Sequence, residues 1–452
     1  MRLTEPVRAA HRALAARARF SADASTSSRA LDALLERVSL ALPRALDGSD
    51  SAPSIVVGLS GGVDSAVALW ALKALGARAT AALARNWDGL DEDASRDCGY
   101  RDDLRSAESI ARHLNVDFRE VDFTREYWCD VFEPYVRAFE HGATPNPDLE
   151  CNRSVKFGAL LRHVTETMGA EYLATGHYAR IERRDGGAAR LLRGRDEEKD
   201  QSYFLASVPG EALRRACFPL GDVLKSETRE AARALGLPCA DRRSSAGICF
   251  IGRRPFGDFI GEYITPRAGA FVDAETSRPV PGAGQHRGLA SYTVGQRAKI
   301  GGAAKPWFVV GKNVAENVVY VANGADHEAL FSSSAALADE FWISGERPVT
   351  TRLLAKTRYA APLTPVTLKT VDSSDKMFEP SRFSSSYVSE ATGRETSLRA
   401  SFERPERAVT PGQALVLYDG DVCLGGAIVE RVGKTSFETR RRGTDPTIDP
   451  RA

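Results

Sequence analysis

The stretch Gly58-Leu59-Ser60-Gly61-Gly62-Val63-Asp64-Ser65 decides the fold of this chain. It follows a short β-branched run, Ser54–Val57, and it precedes an apolar stretch of helical character, Ala66–Leu75. Glycine allows a positive φ and a close approach of the backbone to a ligand, and the first turn of a helix carries unpaired N–H groups. A glycine loop between a strand and a helix therefore predicts a site for phosphate. The alternative is a strand-to-helix turn that binds nothing.

The segments after this glycine loop continue the alternation of strands and helices. Ala79–Ala84 is predicted as a second strand, Leu104–Leu114 has helical periodicity, and Phe118–Val121 is predicted as a third strand. A further strand at Tyr172–Thr175 and a helix at Glu227–Leu237 follow. This alternation predicts an α/β fold with a doubly wound parallel sheet. Such sheets bind ligands at the carboxyl ends of their strands, where the glycine loop lies.

The second half of the chain is predicted to be mostly β-structure. Short alternating runs such as Trp307–Val310 and Val318–Val321 replace the helical pattern, and Asp419-Gly420 between apolar runs predicts a type I′ hairpin turn. Residues 372–398 are rich in serine and charge, which predicts an inserted surface loop. We therefore expect an extension at residues 1–50, an α/β domain at 51–240, a central domain at 241–330 and a C-terminal β-barrel-like domain at 331–452.

The composition of the chain excludes several classes of protein. Its 452 residues carry 61 Lys plus Arg and 60 Asp plus Glu, so the net charge of +1 gives no overall sign of nucleic-acid binding. A local basic face is still compatible with that balance. The 7 cysteines form no CxxC pair, which argues against a disulfide scaffold, a zinc ribbon and a thioredoxin-type site. No apolar run reaches the roughly 20 residues of a membrane-spanning helix, so we expect no membrane association.

The N-terminal segment differs from the rest of the chain. It is rich in arginine, alanine and serine, and its acidic residues before residue 30 are Glu5 and Asp23. This composition is typical of a mitochondrial or plastid transit peptide. We therefore expect a mitochondrial protein. The alternative is a disordered extension on a cytoplasmic protein.

The segment Thr144–Asn152 (TPNPDLECN) is a second candidate site. Its prolines stiffen the chain and hold Asn146 in an extended conformation, where its amide offers both a donor and an acceptor to a base edge. Asp148 precedes Cys151 by one helical turn, so that a carboxylate and a thiol would share one pocket. Taken alone, the segment is equally compatible with a rigid helix entry, with Asp148 as the N-cap and Cys151 buried.

Cys249 lies in a third candidate segment, Ser245–Gly252. Apolar residues and glycines surround it, which by itself favours an inert buried thiol. A reactive thiol needs an electropositive and accessible setting. Arg242, Arg243 and the pair Arg253-Arg254 flank the segment and would provide that setting.

The glycine loop also indicates which phosphate compound it would bind. It lacks the Gly-Lys-Ser/Thr ending of a Walker A motif, which excludes a P-loop NTPase. The segment Ser60–Ser65 (SGGVDS) instead resembles the pyrophosphate loop of the PP-loop ATP pyrophosphatases, which cleave ATP between the α and β phosphates and adenylate a substrate. Asp64 would then hold a Mg²⁺ ion that bridges the phosphates. The expected cofactors are therefore ATP and Mg²⁺.

A series of longer motifs narrows the resemblance to one family. These are GLSGGVDS, NWDGLDED, TPNPDLECNRSVKF, ATGHYAR, KDQSYFL, GICFIGRRPFGDFI, YTVGQR, KTRYA and VTPGQALVLYDGDVCLGG, in that order. Over about residues 54–430 the chain closely resembles the tRNA-specific 2-thiouridylases (MnmA), and its N-terminal composition is similar to that of the mitochondrial form. The two cysteine motifs distinguish this family from other PP-loop families.

The resemblance implies a reaction on tRNA. In this family ATP adenylates the C2 oxygen of the wobble uridine, and a persulfide sulfur, delivered by a donor or relay protein, then replaces that oxygen. The resemblance implies that Cys249 carries the persulfide and that Cys151 is the nucleophile that assists release. It also implies that these two cysteines form a disulfide during turnover and that Asp148 is the acid/base group.

The resemblance further implies a set of binding residues. These are Gly58–Ser65, Ala84 and Gly176 for ATP; Asn146, Pro147 and Asp148 for the target base; and Lys199, Asp200, Gln201, Arg358 and Tyr359 for the rest of the tRNA. The central domain is implied to contact tRNA as well.

Two other functions compete with this one. A PP-loop ligase that adenylates a small molecule would share the glycine loop, although the chain shows no recognisable glutaminase domain. A non-catalytic RNA-binding protein would have no need of Asp64, Asp148, Cys151 and Cys249. An iron–sulfur cluster held by Cys151, Cys249 and Asp148 is chemically reasonable, and the spacing of these residues does not decide it.

Overall fold

The computed structural model describes residues 24–45, 51–87, 99–183, 188–243, 255–371, 378–384 and 398–442. The strands are β1 (Ser54–Gly58), β2 (Arg78–Arg85), β3 (Phe118–Asp122), β4 (Tyr172–Ala174), β5 (Ala179–Glu182), β6 (Arg190–Arg193), β7 (Ala216–Cys217), β8 (Gly269–Asp273), β9 (Gln285–His286), β10 (Trp307–Asn313), β11 (Val318–Asn323), β12 (Phe331–Trp342), β13 (Arg352–Lys356), β14 (Thr364–Thr370), β15 (Leu398–Arg407), β16 (Ala414–Asp419) and β17 (Val422–Val432).

Helices of three kinds accompany these strands. The α-helices are Ala24–Ala41, Val63–Ala74, Gly99–Leu114, Thr124–Tyr127, Glu133–Glu140, Pro147–Glu150, Ser202–Leu205, Gly210–Arg214, Lys225–Ala234, Phe256–Ile260 and Ser436–Arg442. π-Helical segments lie at Trp128–Phe132, Cys151–Leu160 and His163–Thr167, and 3₁₀ turns lie at Leu289–Ser291 and Glu328–Leu330. Within the described ranges, no helix combines the length and the apolar character that crossing a bilayer requires.

The first sheet is parallel throughout, with the strand order β3-β2-β1-β4-β7. Its central strand β1 is flanked by β2 on one side and β4 on the other, so that Val56 lies opposite Thr80 and Leu173. The apolar residues of β1 are buried because helices cover both faces of the sheet. The predicted α/β fold with a doubly wound parallel sheet is confirmed. The topology turns at β1, whose carboxyl end carries the glycine loop.

The helix Ala24–Ala41 bears on part of the extension predicted at residues 1–50, of which residues 1–23 and 46–50 lie outside the described part of the chain. Its buried residues include Leu34, Leu35 and Val38. They belong to the same apolar core as the helix Val63–Ala74. The Tyr172 hydroxyl also donates a hydrogen bond to the Arg44 carbonyl at 2.7 Å. From Ala24 to Ala45 the predicted extension is therefore part of the folded domain, because an apolar stripe at helical spacing outweighs the arginine-rich composition.

The second half of the chain forms a small sheet and a barrel. The small sheet has the strand order β10-β11-β8-β9. Strands β12-β15-β14-β13-β16-β17 form an antiparallel barrel that closes where β17 pairs with β12. The predicted C-terminal β-barrel is confirmed. The hairpin β5–β6 of the α/β domain extends the barrel sheet, since Leu192 pairs with Val422 and Leu191 with Cys423.

Residues 378–384 show that the predicted surface loop at 372–398 is partly wrong. Phe383 is 2% exposed and packs in a core cluster with Phe308 and Leu330. The Ser381 amide donates to the Val432 carbonyl at 2.9 Å, which ties the segment to the barrel. At the far end, Leu398 begins β15. The serine-rich composition of the segment predicted exposure, but Phe383 within it is buried. Residues 372–377 and 385–397 lie outside the described part of the chain.

Candidate functional site

The glycine loop is shaped to receive an anion at the carboxyl end of β1. Gly61 has φ +74°, and a Cβ there would lie 2.6 Å from the Asp103 carbonyl oxygen, so only glycine fits. Ser65 Oγ accepts from the Ser60 amide and donates to the Gly62 carbonyl, both at 3.2 Å. Gly62 precedes the first helical residue without any side-chain cap. The N–H groups of that first turn therefore face outward with the positive end of the helix dipole.

Gly176 lies two residues after the end of β4 and packs against the glycine loop. A Cβ at Gly176 would lie 2.8 Å from the Ser65 amide nitrogen and 2.9 Å from the Asp64 carbonyl carbon. Ala84 lies near the end of β2, in register with Val121. The structure thus brings the three groups predicted to bind ATP, which are Gly58–Ser65, Ala84 and Gly176, to one edge of the sheet.

Asp64 already has a cationic partner in this structure. Lys225 Nζ donates to its two carboxylate oxygens at 2.5 and 2.6 Å, and the Tyr178 hydroxyl donates to Oδ1 at 2.9 Å. A Mg²⁺ ion on Asp64 would therefore have to displace or neighbour the Lys225 ammonium group. The carboxylate is a suitable oxygen ligand for that ion, and the Asp64 side chain is 34% exposed, which leaves it accessible.

A second cation next to the loop is the Arg242 guanidinium group. It donates to the Gly61 carbonyl at 3.0 Å and pairs with the Asp103 carboxylate. Burial raises the pKa of Asp103, and the charge and hydrogen bond of Arg242 oppose that effect. Arg242 was predicted as a neighbour of Cys249 and, with Arg243, as a candidate contact to tRNA phosphates. Its contact with the glycine loop was not predicted.

The helix that carries Asp148 and Cys151 begins at a proline turn. Asn146 is the N-cap, because its side-chain oxygen accepts from the Asp148 amide at 3.0 Å, and Pro147 occupies the first helical position. The alternative in which Asp148 is the N-cap is therefore wrong. Asp148 is half-buried and Cys151 is 3% exposed. The chain brings the carboxyl and the thiol onto successive turns of one helical segment.

From Cys151 the helix continues as a π-helix to Leu160. The Leu161 amide donates to the Lys156 carbonyl, five residues back, and a Cβ at Gly158 would lie 2.9 Å from the Arg153 carbonyl oxygen. π-Helical turns are rare in proteins and are frequent at functional sites. The wider turn changes which side chains after Cys151 point toward the sheet.

Burial raises the pKa of Asp148, and the nearby positive charge of Lys156 opposes that effect. A carboxyl group of this kind is better matched to proton transfer near neutral pH than an exposed aspartate. Asp148 also helps to raise the pKa of Tyr135, which places the phenol close to this carboxyl. Cys249, the third predicted catalytic residue, lies outside the described residues.

His177 connects the helix of Cys151 to the phosphate loop, and it was not predicted as a site residue. It follows Gly176, and its Nδ1 lies 2.7 Å from Thr175 Oγ1. Its ring lies 6.1 Å from the Phe157 ring on the π-helix. Burial and the charge of Lys156 hold the pKa of His177 well below its usual range, so the imidazole is neutral at physiological pH. Its position directly after a strand-end glycine was the available signal.

The residues predicted to contact tRNA divide into exposed and buried groups. Lys199 is exposed, whereas Asp200 is 1% exposed. The Asp200 carboxylate accepts from the Gly194 amide at 2.9 Å and from the Ser202 hydroxyl at 3.0 Å. Its side chain is therefore occupied within the protein and does not reach a ligand at the surface. Gln201 Oε1 accepts from the Tyr178 amide at 3.0 Å.

The barrel contributes Arg358 and Tyr359 next to this region. Tyr359 stacks on Phe204, with ring centroids 4.4 Å apart and an interplanar angle of 28°. The Phe204 carbonyl in turn accepts from the Asn152 side-chain amide at 2.8 Å. Arg358 donates to the Arg407 carbonyl at 2.8 Å. The structure therefore connects Tyr359 of the barrel to the residue that follows Cys151.

No cluster of three or more His, Cys, Asp or Glu side chains that would hold a metal ion occurs among the described residues. Cys249 lies outside them, so this finding does not test the cluster ligated by Cys151, Cys249 and Asp148.

Three family models match successive parts of this chain. Residues 53–253 match the family model described as tRNA methyl transferase HUP domain, 257–323 match the tRNA methyl transferase PRC-barrel domain, and 386–429 match the aminomethyltransferase beta-barrel domain. Among solved structures, an NMN synthetase from Francisella tularensis covers 47% of this chain and 75% of its own, at 16% identity and a TM-score of 0.29. An NH3-dependent NAD synthetase from Campylobacter jejuni covers 47% and 72%, at 18% identity and a TM-score of 0.25.

Curated relatives are much more similar. The tRNA-specific 2-thiouridylase MnmA of Xanthomonas oryzae is 42% identical over 84% of this chain and 94% of its own length. The protein of the same name from Burkholderia thailandensis is 42% identical over 83% and 93%, and the one from Pediococcus pentosaceus is 39% identical over 84% and 96%. Identity at this level over nearly the whole length of these relatives shows that the chain belongs to the family of the tRNA-specific 2-thiouridylases.

Proposed function

We propose that this protein converts the wobble uridine of tRNA to 2-thiouridine while it cleaves ATP to AMP and pyrophosphate. The observation that carries the proposal is the junction at Gly176-His177. Gly176 packs against the phosphate loop at Asp64 and Ser65, and His177 packs against Phe157 of the helix that carries Asp148 and Cys151. An anion-binding loop and a carboxyl–thiol pair therefore meet at one site. The names of the curated relatives supply the reaction class.

The loop Gly58–Ser65, with Ala84 and Gly176, would hold ATP. Its outward N–H groups and the neighbouring Lys225 and Arg242 side chains suit the negative charge of the phosphates. A Mg²⁺ ion held by Asp64 would neutralise part of the charge that develops on the leaving pyrophosphate.

Adenylation is the first step. The uridine O2 attacks the α-phosphorus, the new O–P bond forms as the bond to pyrophosphate breaks, and the N3 proton leaves. Asp148 would accept that proton, for which its burial and raised pKa suit it. Asn146, Pro147 and Asp148 would hold the base after it has been splayed from the anticodon stack.

Sulfur transfer is the second step. The terminal sulfur of a Cys249 persulfide attacks C2, and the C2–O bond breaks with release of AMP. The Cys151 thiolate then attacks Cys249 Sγ, which forms a Cys151–Cys249 disulfide and leaves the outer sulfur on C2. Asp148 would return its proton to N3, which gives the thiocarbonyl of 2-thiouridine. An external thiol must reduce this disulfide, and a persulfide donor must reload Cys249. A partner protein would supply that sulfur.

The tRNA would lie across the α/β domain, the central sheet and the barrel. Lys199 and Arg358 would contact phosphates, and Gln201 and Tyr359 would contact the tRNA beside the target base, while Asp200 holds the backbone around them. With these contacts we propose the domain division 51–240, 241–330 and 331–452 as functional units, with the folded core extended back to Ala24 by the helix Ala24–Ala41.

A mitochondrial location is also proposed, on the arginine-rich composition of residues 1–23. A fluorescent fusion of the full chain should enter mitochondria, and a fusion that starts at Ala24 should stay in the cytosol. Equal distribution of the two fusions would contradict targeting by this segment.

An iron–sulfur cluster on Cys151, Cys249 and Asp148 is the alternative to the disulfide route. Anaerobic purification with iron and sulfide analysis distinguishes them. Stoichiometric iron that is lost in Cys151→Ser would support the cluster, and its absence from protein that thiolates tRNA would support the disulfide.

The function is tested with purified protein, tRNA, ATP and a persulfide donor. Pyrophosphate release should depend on tRNA, and the tRNA nucleosides should contain 2-thiouridine by mass spectrometry. Cys249→Ser should abolish thiouridine and retain ATP binding. Full-rate pyrophosphate release with a small acceptor and no tRNA would overturn the proposal in favour of a small-molecule ligase. tRNA binding without any ATP turnover would favour a non-catalytic RNA-binding protein.

A further inference from the structure

Lys156 is a half-buried lysine inside the candidate site. Across the part of the chain that the structure describes, its ammonium group makes no hydrogen bond or ion pair. A partly buried cation without an anionic partner loses hydration that no protein group replaces, so it is destabilising unless a ligand supplies the missing charge. The lysine therefore needs an explanation that packing does not provide.

The position of Lys156 follows from the π-helix. It lies one π-turn after Cys151, and its neighbour Phe157 packs against His177 at 6.1 Å and against Phe218 at 5.6 Å. These ring contacts hold this turn against the carboxyl end of β4, where Gly176 touches the phosphate loop.

Electrostatics agree with that position. The charge of Lys156 opposes the rise that burial causes in the pKa of Asp148, and it adds to the fall that burial causes in the pKa of His177. The ammonium group is therefore within electrostatic reach of both the carboxyl assigned to the uridine and the imidazole that follows Gly176. Arg153, on the same helix, is exposed and influences neither group.

The geometry of the adenylation step predicts where the α-phosphate of ATP lies relative to Lys156. The attacking oxygen and the leaving pyrophosphate must stand on opposite sides of the α-phosphorus. If the pyrophosphate occupies the loop and the uridine lies at Asp148, the α-phosphate falls between them. Lys156 lies on the helical segment that runs from Asp148 to Phe157, whose ring packs on His177 at the end of β4.

We propose that Lys156 is a catalytic residue whose ammonium group binds the α-phosphate of ATP while the uridine oxygen attacks it, and then the phosphate of the adenylated uridine. This assignment rests on the proposed function. The competing role is to stabilise the Cys151 thiolate, which would act on sulfur transfer alone.

The first experiment measures binding at the α-phosphate position separately from binding at the glycine loop. AMP carries only the α-phosphate, and inorganic pyrophosphate is a probe of the loop. Lys156→Met should weaken AMP binding about tenfold or more by isothermal titration and leave pyrophosphate binding within about threefold. Arg153→Met removes a charge from the exposed side of the same helix and should change neither affinity. Equal AMP affinity in Lys156→Met and the unaltered protein would overturn the proposal.

The second experiment measures the two chemical steps separately. Without a sulfur donor, single-turnover pyrophosphate release with tRNA should fall about 100-fold in Lys156→Met, while Lys156→Arg, which keeps the charge, should restore part of the rate. An unchanged unfolding temperature excludes misfolding, and Lys156→Arg retains the test if Lys156→Met does not fold. Normal pyrophosphate release with slow thiolation would mean that Lys156 stabilises the Cys151 thiolate, and it would overturn the proposal. If the unaltered protein itself releases no pyrophosphate with tRNA, the proposed function fails, and AMP binding still reports on Lys156.

Discussion

Lys225 Nζ lies 2.6 Å from Asp64 Oδ2, although 161 residues separate the two in the chain. The Lys225 side chain is 15% exposed and packs over the Tyr178 ring at 5.5 Å. The carboxylate expected to hold Mg²⁺ is thus paired with a lysine. This pair connects the glycine loop to the helix Lys225–Ala234, and a metal ion bound by Asp64 would displace or neighbour the lysine.

We expect Asp64→Asn and Lys225→Met to have opposite effects on ATP binding. Without Mg²⁺, Asp64→Asn frees the lysine for the phosphates and should bind ATP as tightly as the unaltered protein or more tightly, whereas Lys225→Met should bind about tenfold more weakly. With Mg²⁺, Asp64→Asn should lose the metal-dependent gain. Isothermal titration with EDTA and with Mg²⁺ measures both effects. If Mg²⁺ increases the ATP affinity of Asp64→Asn as much as that of the unaltered protein, this carboxylate does not bind the metal ion.

Gly176→Ala should damage the phosphate loop. The added methyl group would lie 2.8 Å from the Ser65 amide nitrogen and 2.9 Å from the Asp64 carbonyl carbon, so the backbone of the glycine loop or of Gly176 must move to accept it. We expect pyrophosphate affinity to fall about tenfold or more, since the N–H groups of the loop lose their alignment. Gly301→Ala is the matched control, because no atom lies within 4 Å of its added Cβ. Unchanged pyrophosphate binding in Gly176→Ala would contradict the role of this contact.

The strand, loop and helix around Ser54–Ala74 could be predicted from the sequence because each is specified locally. β-Branched residues favour the strand, and glycines permit the turn that opens the helix.

The hairpin after β16 was predicted from the sequence, but its turn type was not. Asp419 pairs with Val422. The turn residues are therefore Gly420 and Asp421, and of these Gly420 has the positive φ, +57°. A type I′ turn needs positive φ at both, so that detail of the prediction was wrong.

The features that sequence reasoning missed all depend on distant partners. Arg242 reaches the Gly61 carbonyl across 181 residues, and Phe383 is buried only because β10 and the barrel meet around it. The π-helix after Cys151 has the apolar pattern of an ordinary helix, so the position of Lys156 relative to His177 could not be derived from periodicity. Motifs identified the groups that do chemistry, and the fold determined which charged side chains surround them.

Asp148→Asn should make the protein more stable at neutral pH and inactive. Burial raises the pKa of this carboxyl in the folded state, so the folded protein binds the proton more tightly than the unfolded chain. Its stabilising contribution is complete below the unfolded pKa and is lost as pH rises through the folded pKa. The neutral amide avoids this loss, so the unfolding temperature of the variant should exceed that of the unaltered protein at neutral pH.

The gap between the two unfolding temperatures should close below the ordinary aspartate range, near pH ~4. Adenylation of tRNA should fall about 100-fold because the proton acceptor is gone. A constant temperature gap at every pH would mean that Asp148 does not titrate differently in the folded state. Retained adenylation would assign the proton transfer to another group.

Neighbouring substitutions at Lys199 and Asp200 should separate RNA contact from structure. The buried Asp200 carboxylate lies 3.7 Å from Arg193 Nε on β6 and 3.6 Å from Lys356 Nζ on β13. Asp200→Asn leaves Lys356 without its carboxylate partner, and it leaves Arg193 with only the more exposed Glu197 and Asp421. It should destabilise the junction of the α/β domain and the barrel by about 3 kcal/mol. Its tRNA affinity, measured well below the unfolding temperature, should stay within about threefold.

Lys199→Ala should show the reverse pattern. Its side chain is exposed, so the unfolding temperature should hardly change. If Lys199 contacts a phosphate, tRNA affinity should fall and the slope of log K against log salt should decrease by roughly 0.7–0.9, the release of one counterion. Filter binding over a range of salt concentrations measures that slope. An unchanged slope in Lys199→Ala would exclude a phosphate contact there, and loss of tRNA binding in a stable Asp200→Asn would mean that the buried carboxylate shapes the RNA surface itself.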